Sequence, residues 1–151
     1  MRRKDKQMSE EWAVSEVIQR ALVCRLAMSD GRTPYIVPLC FGYRDGVLYL
    51  HSATQGRKLD MIRNNSCVCF EFDIDLELIQ NSEPCHWSMR YKSVIGHGEA
   101  TLVEEAEEKR RALEVIMGQY SRDAFVFPQG AMERTVVIKV AIESMSGKKS
   151  G

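Results

Sequence analysis

The chain has 151 residues, 21 basic and 21 acidic side chains with a formal net charge of zero, and 44% hydrophobic residues. That length supports one domain with a buried core, and the even charge balance argues against a nucleic-acid-binding face. No apolar run approaches the roughly 18 residues of a membrane span, and the basic start Met1-Arg2-Arg3-Lys4-Asp5-Lys6 has no apolar stretch behind it, so neither an anchor nor a signal peptide is expected.

Ser9 is placed to cap a helix ending near Leu22, with Trp12, Ser15, Ile18 and Leu22 on one face. Residues 23–28 read as a strand and Ser29-Asp30-Gly31 as a turn. Residues 35–43 are rich in β-formers but contain Pro38, which cannot donate to a ladder, so this strand is an edge or is bulged there. Asp45-Gly46 predicts a two-residue hairpin into residues 47–52. A short helix follows over Arg57–Asn64, then a strand over 66–73 and a polar connection over 74–85. Residues 87–104 form a long β run in which Gly96 and Gly98 mark a bend or bulge. A helix over 104–120 places Leu113, Ile116, Met117 and Tyr120 on one side; a loop over 121–134, a strand over 135–143 and a frayed tail over 144–151 complete the chain. Six strands joined by hairpin turns, with peripheral helices between them, argue for a small closed antiparallel barrel in a single domain.

Five cysteines make an odd count. Cys24, Cys40, Cys67 and Cys69 lie in strand-like runs and Cys85 in a loop. Cys67 and Cys69 share one face of a strand, and Cys85 is adjacent to His86, neither a promising start for a tetrahedral metal site, so no metal is expected. The pattern reads as reduced, mostly buried thiols in a cytoplasmic protein.

The richest stretch is Leu48-Tyr-Leu-His-Ser-Ala-Thr-Gln-Gly-Arg-Lys58. Arg57 and Lys58 are two adjacent cations at a helix N-terminus, which suits a phosphate; the bland alternative is a solvated turn. His51 alternates with Leu50 and Ser52 and faces away from both. It is either a structural hydrogen-bonder or a proton donor beside a bound ligand. Trp87 is either core or a lid on a ligand, while His86 and His97 read as exposed loop or bulge residues.

Five segments, in order, carry a resemblance: Met-Arg-Arg-Lys-Asp at the start, Cys24-Arg-Leu-Ala-Met28, Pro34-Tyr-Ile-Val-Pro-Leu-Cys-Phe-Gly-Tyr43, His51-Ser-Ala-Thr-Gln-Gly-Arg-Lys58 and Arg90-Tyr-Lys-Ser-Val-Ile-Gly-His-Gly98. Together they resemble the nitroimidazole-resistance (nitroimidazole reductase-like) family of the pyridoxamine 5′-phosphate oxidase-like flavin-binding split barrels. The resemblance implies a six-stranded Greek-key split barrel and a homodimer with FMN in two interfacial clefts. It implies that Arg57 and Lys58 hold the FMN phosphate, with Ser52, Ala53 and Gly56 in the same segment. Val37, Pro38 and Leu39 would run beside the isoalloxazine ring, with Cys40 standing where the family leads one to expect Asn. Tyr91 and Ser93 would reach the flavin across the cleft, and His51 would lie near it; on the functional reading of these residues, Trp87 is a lid on the flavin edge and His51 the catalytic group.

The activity so implied is an FMN-dependent oxidoreductase. It would pass electrons from NAD(P)H to a small acceptor such as a nitroaromatic, the flavin carrying the chemistry. The chain has no Gly-x-Gly-x-x-Gly motif, so NAD(P)H would enter the flavin cleft transiently. Two other readings stand beside it: a flavin-binding store or redox sensor without turnover, and a split barrel that takes a deazaflavin, or haem with His51 as axial ligand.

Overall fold

The computed structural model describes residues 4–8 and 10–151. Residues 1–3 of the basic start and Ser9, the expected helix cap, lie outside the described residues. The strands are β1 (Gln7–Met8), β2 (Cys24–Ser29), β3 (Pro34–Leu39), β4 (Phe41–Arg44), β5 (Val47–Ala53), β6 (Cys67–Ile79), β7 (Ser88–Val103) and β8 (Thr135–Ser150). Four helices accompany them: α1 (Glu11–Arg20), α2 (Arg57–Asn64), α3 (Ala106–Gly118) and α4 (Gln129–Glu133).

All strand pairs are antiparallel. The sheet runs β3-β2-β6-β7-β8-β5-β4, with β1 paired to β8. β3 and β4 are separated in sequence by Cys40 alone, yet they stand at opposite ends of that order. One extended segment therefore leaves β2 and joins β5 at Cys40, bending the sheet round into a barrel that is split at that point. The expected class is found. The strand count is eight rather than the expected six, because residues 35–43 divide at Cys40 and the two-residue β1 adds another.

Alternation along the strands fills the interior. Phe41, Phe70, Phe72, Leu26, Leu48, Leu50, Val94 and Ile138 are fully buried. The Phe41 and Phe72 rings lie 4.7 Å apart and Phe70 and Phe72 5.8 Å apart, in the range of favourable tilted aromatic pairs. Asp45 and Gly46 both take positive φ, 50° and 77°, as the primed hairpin turn requires. The ladder between β7 and β8 shifts at His97/Gly98. A Cβ on Gly98 would meet the Ala141 carbonyl oxygen at 2.3 Å, so the bulge at that corner requires glycine.

Three expectations are corrected. The face α1 buries is Val17 and Ile18, with Ala13, Val14 and Ala21 packed alongside, while Trp12 and Leu22 are 68% and 74% exposed. This stripe is more apolar than the one through Trp12, and it is anchored where the Gln119 amide donates to the carbonyls of Ile18, Gln19 and Ala21 at 3.0–3.1 Å. Next, residues 74–79 and 144–150 are strand, not connection and frayed tail. Finally, only Cys24 is buried; Cys40, Cys67 and Cys85 are exposed and Cys69 is half-buried, all as free thiols.

Candidate functional site

β5 ends at Ala53, and three residues later Gly56 opens α2 with φ 131° and ψ 164°, a conformation for glycine alone. No side chain caps this helix, and the space beside Gly56 is open. Arg57 and Lys58 are its first two residues. The Arg57 guanidinium lies 4.7 Å from the centre of the Tyr35 ring on β3, a cation–π contact that sets it against the neighbouring strand. Neither cation has an ion pair among the described residues. Lys58 is half-buried, and burial pushes its ammonium below the usual lysine range. A partly desolvated cation without a counter-charge is costly, and a bound anion relieves that cost.

β3 pairs only with β2, so its far edge presents alternate backbone groups to open space. Pro38 lies on this strand opposite Arg25, as the edge-strand reading expects. Val37 and Leu39 turn partly inward, while Pro38 and Cys40 are exposed.

Leu50 and Ser52 face the barrel interior and His51 faces out. There His51 and Cys40 join a cleft of about 400 Å³ walled by Leu113, Ile116 and Met117 of α3, Tyr120 just beyond its end, and Met132 of α4. Burial, then the neighbouring Lys58 charge, holds the imidazole below its usual range, so it is neutral at pH 7. The Tyr120 hydroxyl donates to the Leu22 carbonyl at 3.0 Å and accepts from the Phe41 N–H at 2.9 Å. It thereby pins the start of β4 beneath the cleft, and burial pushes its pKa up to about 12.

Tyr91, Ser93 and Trp87 lie elsewhere. Ala53 pairs with Thr135 at one end of β8, and Tyr91 with Ser150 at the other. Fifteen positions of strand at roughly 3.3 Å each separate those two levels of the sheet. Ser93 is buried between Asp73 and Lys148 on the flanking strands. Tyr91 carries the Lys148 ammonium 5.4 Å from its ring centre. Trp87 is 47% exposed on the loop between β6 and β7, its indole N–H donating to the Asn81 carbonyl at 2.7 Å. The chain thus brings Arg57, Lys58, Gly56, Ala53, His51 and the β3 edge together, and holds Tyr91, Ser93 and Trp87 apart from them. Sequence reasoning missed Tyr35 as a partner of Arg57, for which nothing in the pattern gives a signal. It also missed the cleft, although the spacing of Leu113, Ile116, Met117 and Tyr120 marks the α3 face that lines it.

No helix among the described residues is long and apolar enough to cross a membrane. A family model described as pyridoxamine 5′-phosphate oxidase matches residues 10–149. Among solved structures, a candidate 5-nitroimidazole antibiotic resistance protein from Bacteroides thetaiotaomicron VPI-5482 is 34% identical; the match covers 95% of this chain and 86% of that one, with a TM-score of 0.84. An FAD-binding protein from Mesorhizobium loti is 23% identical, covering 97% of this chain and 98% of that one at a TM-score of 0.69. The flavocytochrome Anf3 from Azotobacter vinelandii is 15% identical and shares the fold, covering 100% of this chain and 72% of that one at a TM-score of 0.87. No curated protein matches the chain. The chain belongs to the pyridoxamine 5′-phosphate oxidase-like family of split barrels, on its nitroimidazole-resistance branch.

Proposed function

We propose that this protein is an FMN-dependent oxidoreductase that passes electrons from NAD(P)H to a small acceptor such as a nitroaromatic, acting as a homodimer in the cytoplasm. The observation that carries the reading is the adjacent pair Arg57 and Lys58, neither in an ion-pair contact among the described residues, at the open start of α2 beside the free edge of β3. A dianionic phosphate on a planar heteroaromatic suits both at once: charge-assisted hydrogen bonds at one end, and backbone groups of Val37 and Leu39 at the other. The His51 imidazole, neutral at rest, can take up a proton or hydrogen-bond a substrate at the cleft mouth. The flavin, when bound, supplies the redox chemistry; the chain binds and orients it and keeps an apolar cleft beside it for the acceptor. Anaerobic stopped-flow mixing of the FMN-loaded protein with NADPH and then a nitroimidazole tests this. Flavin bleaching followed by reoxidation is expected. A flavin that stays oxidised with every donor would instead favour a store or sensor.

One observation favours a second reading. A neutral imidazole at the rim of a cleft whose other walls are mainly apolar is also an arrangement for haem, with His51 as axial ligand. Protein expressed with a haem precursor should then show a Soret band that His51→Ala abolishes. Its absence in the wild type rejects this reading.

A further inference from the structure

The loop between β6 and β7 gathers three unlike donors round a single turn. Adjacent side chains such as Cys85 and His86 diverge on an extended chain, so the sequence predicts no metal there. The chain is not extended at this point. Residues Pro84–His86 form one tight helical turn, closed by the His86 N–H on the Glu83 carbonyl at 3.0 Å and the Trp87 N–H on the Pro84 carbonyl at 3.2 Å. Asn81 buttresses it twice: its side-chain oxygen accepts from the Glu83 N–H at 3.0 Å, and its carbonyl from the Trp87 indole N–H at 2.7 Å. This turn brings one ligand atom each of Glu83, Cys85 and His86 within 4.8 Å of one another, the only such group of His, Cys, Asp and Glu side chains among the described residues. Three atoms so placed share a point no more than about 2.8 Å from each, against zinc bonds of about 2.0–2.3 Å, so each donor has well under about 1 Å to move. The closest two are already at ligand spacing. Nδ1 of His86 stands 3.1 Å from a Glu83 carboxylate oxygen, close to the separation of two ligands on one tetrahedral ion. Cys85 is a free, exposed thiol, and both other side chains are mostly exposed, which leaves an ion a path in.

We propose that Glu83, Cys85 and His86 bind one zinc-class divalent ion, with water in the fourth position. A thiolate, an imidazole nitrogen and a carboxylate oxygen form a mixed set that selects zinc or cobalt(II) over magnesium and calcium, which take oxygen ligands. The thiolate and carboxylate together neutralise the ion's charge. The protons balance as well. The Cys85 thiol releases its proton to solvent, and the ion displaces the Nδ1 proton that His86 shares with Glu83, leaving a neutral ring protonated on Nε2. The ion adds a cross-link to a turn otherwise held by hydrogen bonds that water can compete for. It therefore stiffens the tip of the arm and the backbone that carries Trp87.

Cobalt(II) titration of the purified full chain, read by tetrahedral d–d bands, tests the proposal. One ion per chain is expected. Cys85→Ser with His86→Ala should abolish the bands. Because loss of a mere supporting partner already costs about 10–100-fold in metal affinity, His86→Ala alone should weaken binding at least about tenfold. Cys67→Ser with Cys69→Ser, which changes two thiols on a distant part of β6, should leave the titration as it is. X-ray absorption of the zinc-loaded wild type should show a single sulfur among otherwise nitrogen and oxygen neighbours, a readout that requires no variant to fold. No tetrahedral bands at a molar excess of cobalt(II), bands that persist without Cys85 and His86, or more than one sulfur around the zinc would overturn it.

Discussion

The two ends of the β6–β7–β8 ribbon are built in opposite ways. At one end the strands wrap a core, with Phe70, Phe72, Val94 and Ile138 fully buried. At the other, β6 passes a bulge at Ile74/Glu77 and runs out with β7 as a two-stranded arm on which Leu76, Leu78, Trp87 and Met89 are 40–61% exposed. Arg57, Lys58 and His51 belong to the closed end; Tyr91 lies at the base of the arm, where it still pairs with Ser150, and Trp87 in the loop at its tip. On the proposed reading, the closed end of one chain would supply the anion-binding half of the site, and the apolar arm, covered by a second copy, would supply the other half.

Substitutions should separate the two ends sharply. Phe72→Ala at the closed end should cost about 3–5 kcal/mol of unfolding free energy, measured by urea denaturation. On the arm, Leu78→Ala should cost the barrel little and act instead on association. Light scattering should give twice the chain mass for the wild type and a dissociation constant raised at least about tenfold for the variant. A Leu78→Ala protein as dimeric as the wild type would remove the arm from the interface.

Within the closed end, Arg57→Ala with Lys58→Ala should weaken FMN binding at least tenfold, since each charged hydrogen bond to the phosphate is worth roughly 1.5–3 kcal/mol. Riboflavin, which lacks the phosphate, should be nearly unaffected; equal losses would place the phosphate elsewhere. Tyr120→Phe should cost about 1 kcal/mol, because it leaves the Phe41 N–H without its acceptor.

The smallest effect is a pH dependence at His51. Its folded-state pKa lies below the ordinary 6.5, so the unfolded chain binds more protons as pH falls. His51 therefore favours folding above about that value and penalises it progressively below. His51→Gln should flatten the acid limb of a melting-temperature profile relative to wild type. Identical profiles would mean that the imidazole titrates alike in both states.

Much of the closed end was legible because local chemistry dictates it. α2 spans Arg57–Asn64, as its amphipathic pattern and the glycine before it require. Asp45-Gly46 can make little but a primed turn, and Pro38 had to sit at an edge. The arm was hidden because its strands are held by pairing rather than by pattern. Residues 74–79 alternate charged and apolar side chains around Asp75, which sits at φ 57°, and Ser144, Ser146 and Gly147 have no strand preference of their own. Their ladder with residues 91–97 supplies what propensity does not. The site divided in the same way: the cations could be read from one local motif, whereas the pairing of Arg57 with Tyr35 and the cleft beside His51 depend on contacts between distant segments.

The most direct test of a flavin site shared between two copies is complementation. Arg57→Ala/Lys58→Ala protein and Tyr91→Ala protein, each impaired as a homodimer, are mixed in equal amounts, allowed to exchange, and titrated with FMN. In a heterodimer both lesions fall on one site and leave the other intact. Tight FMN binding should therefore return to about a quarter of all sites. Complete exchange with no recovery of tight binding would contradict the shared site and confine the flavin to a single chain.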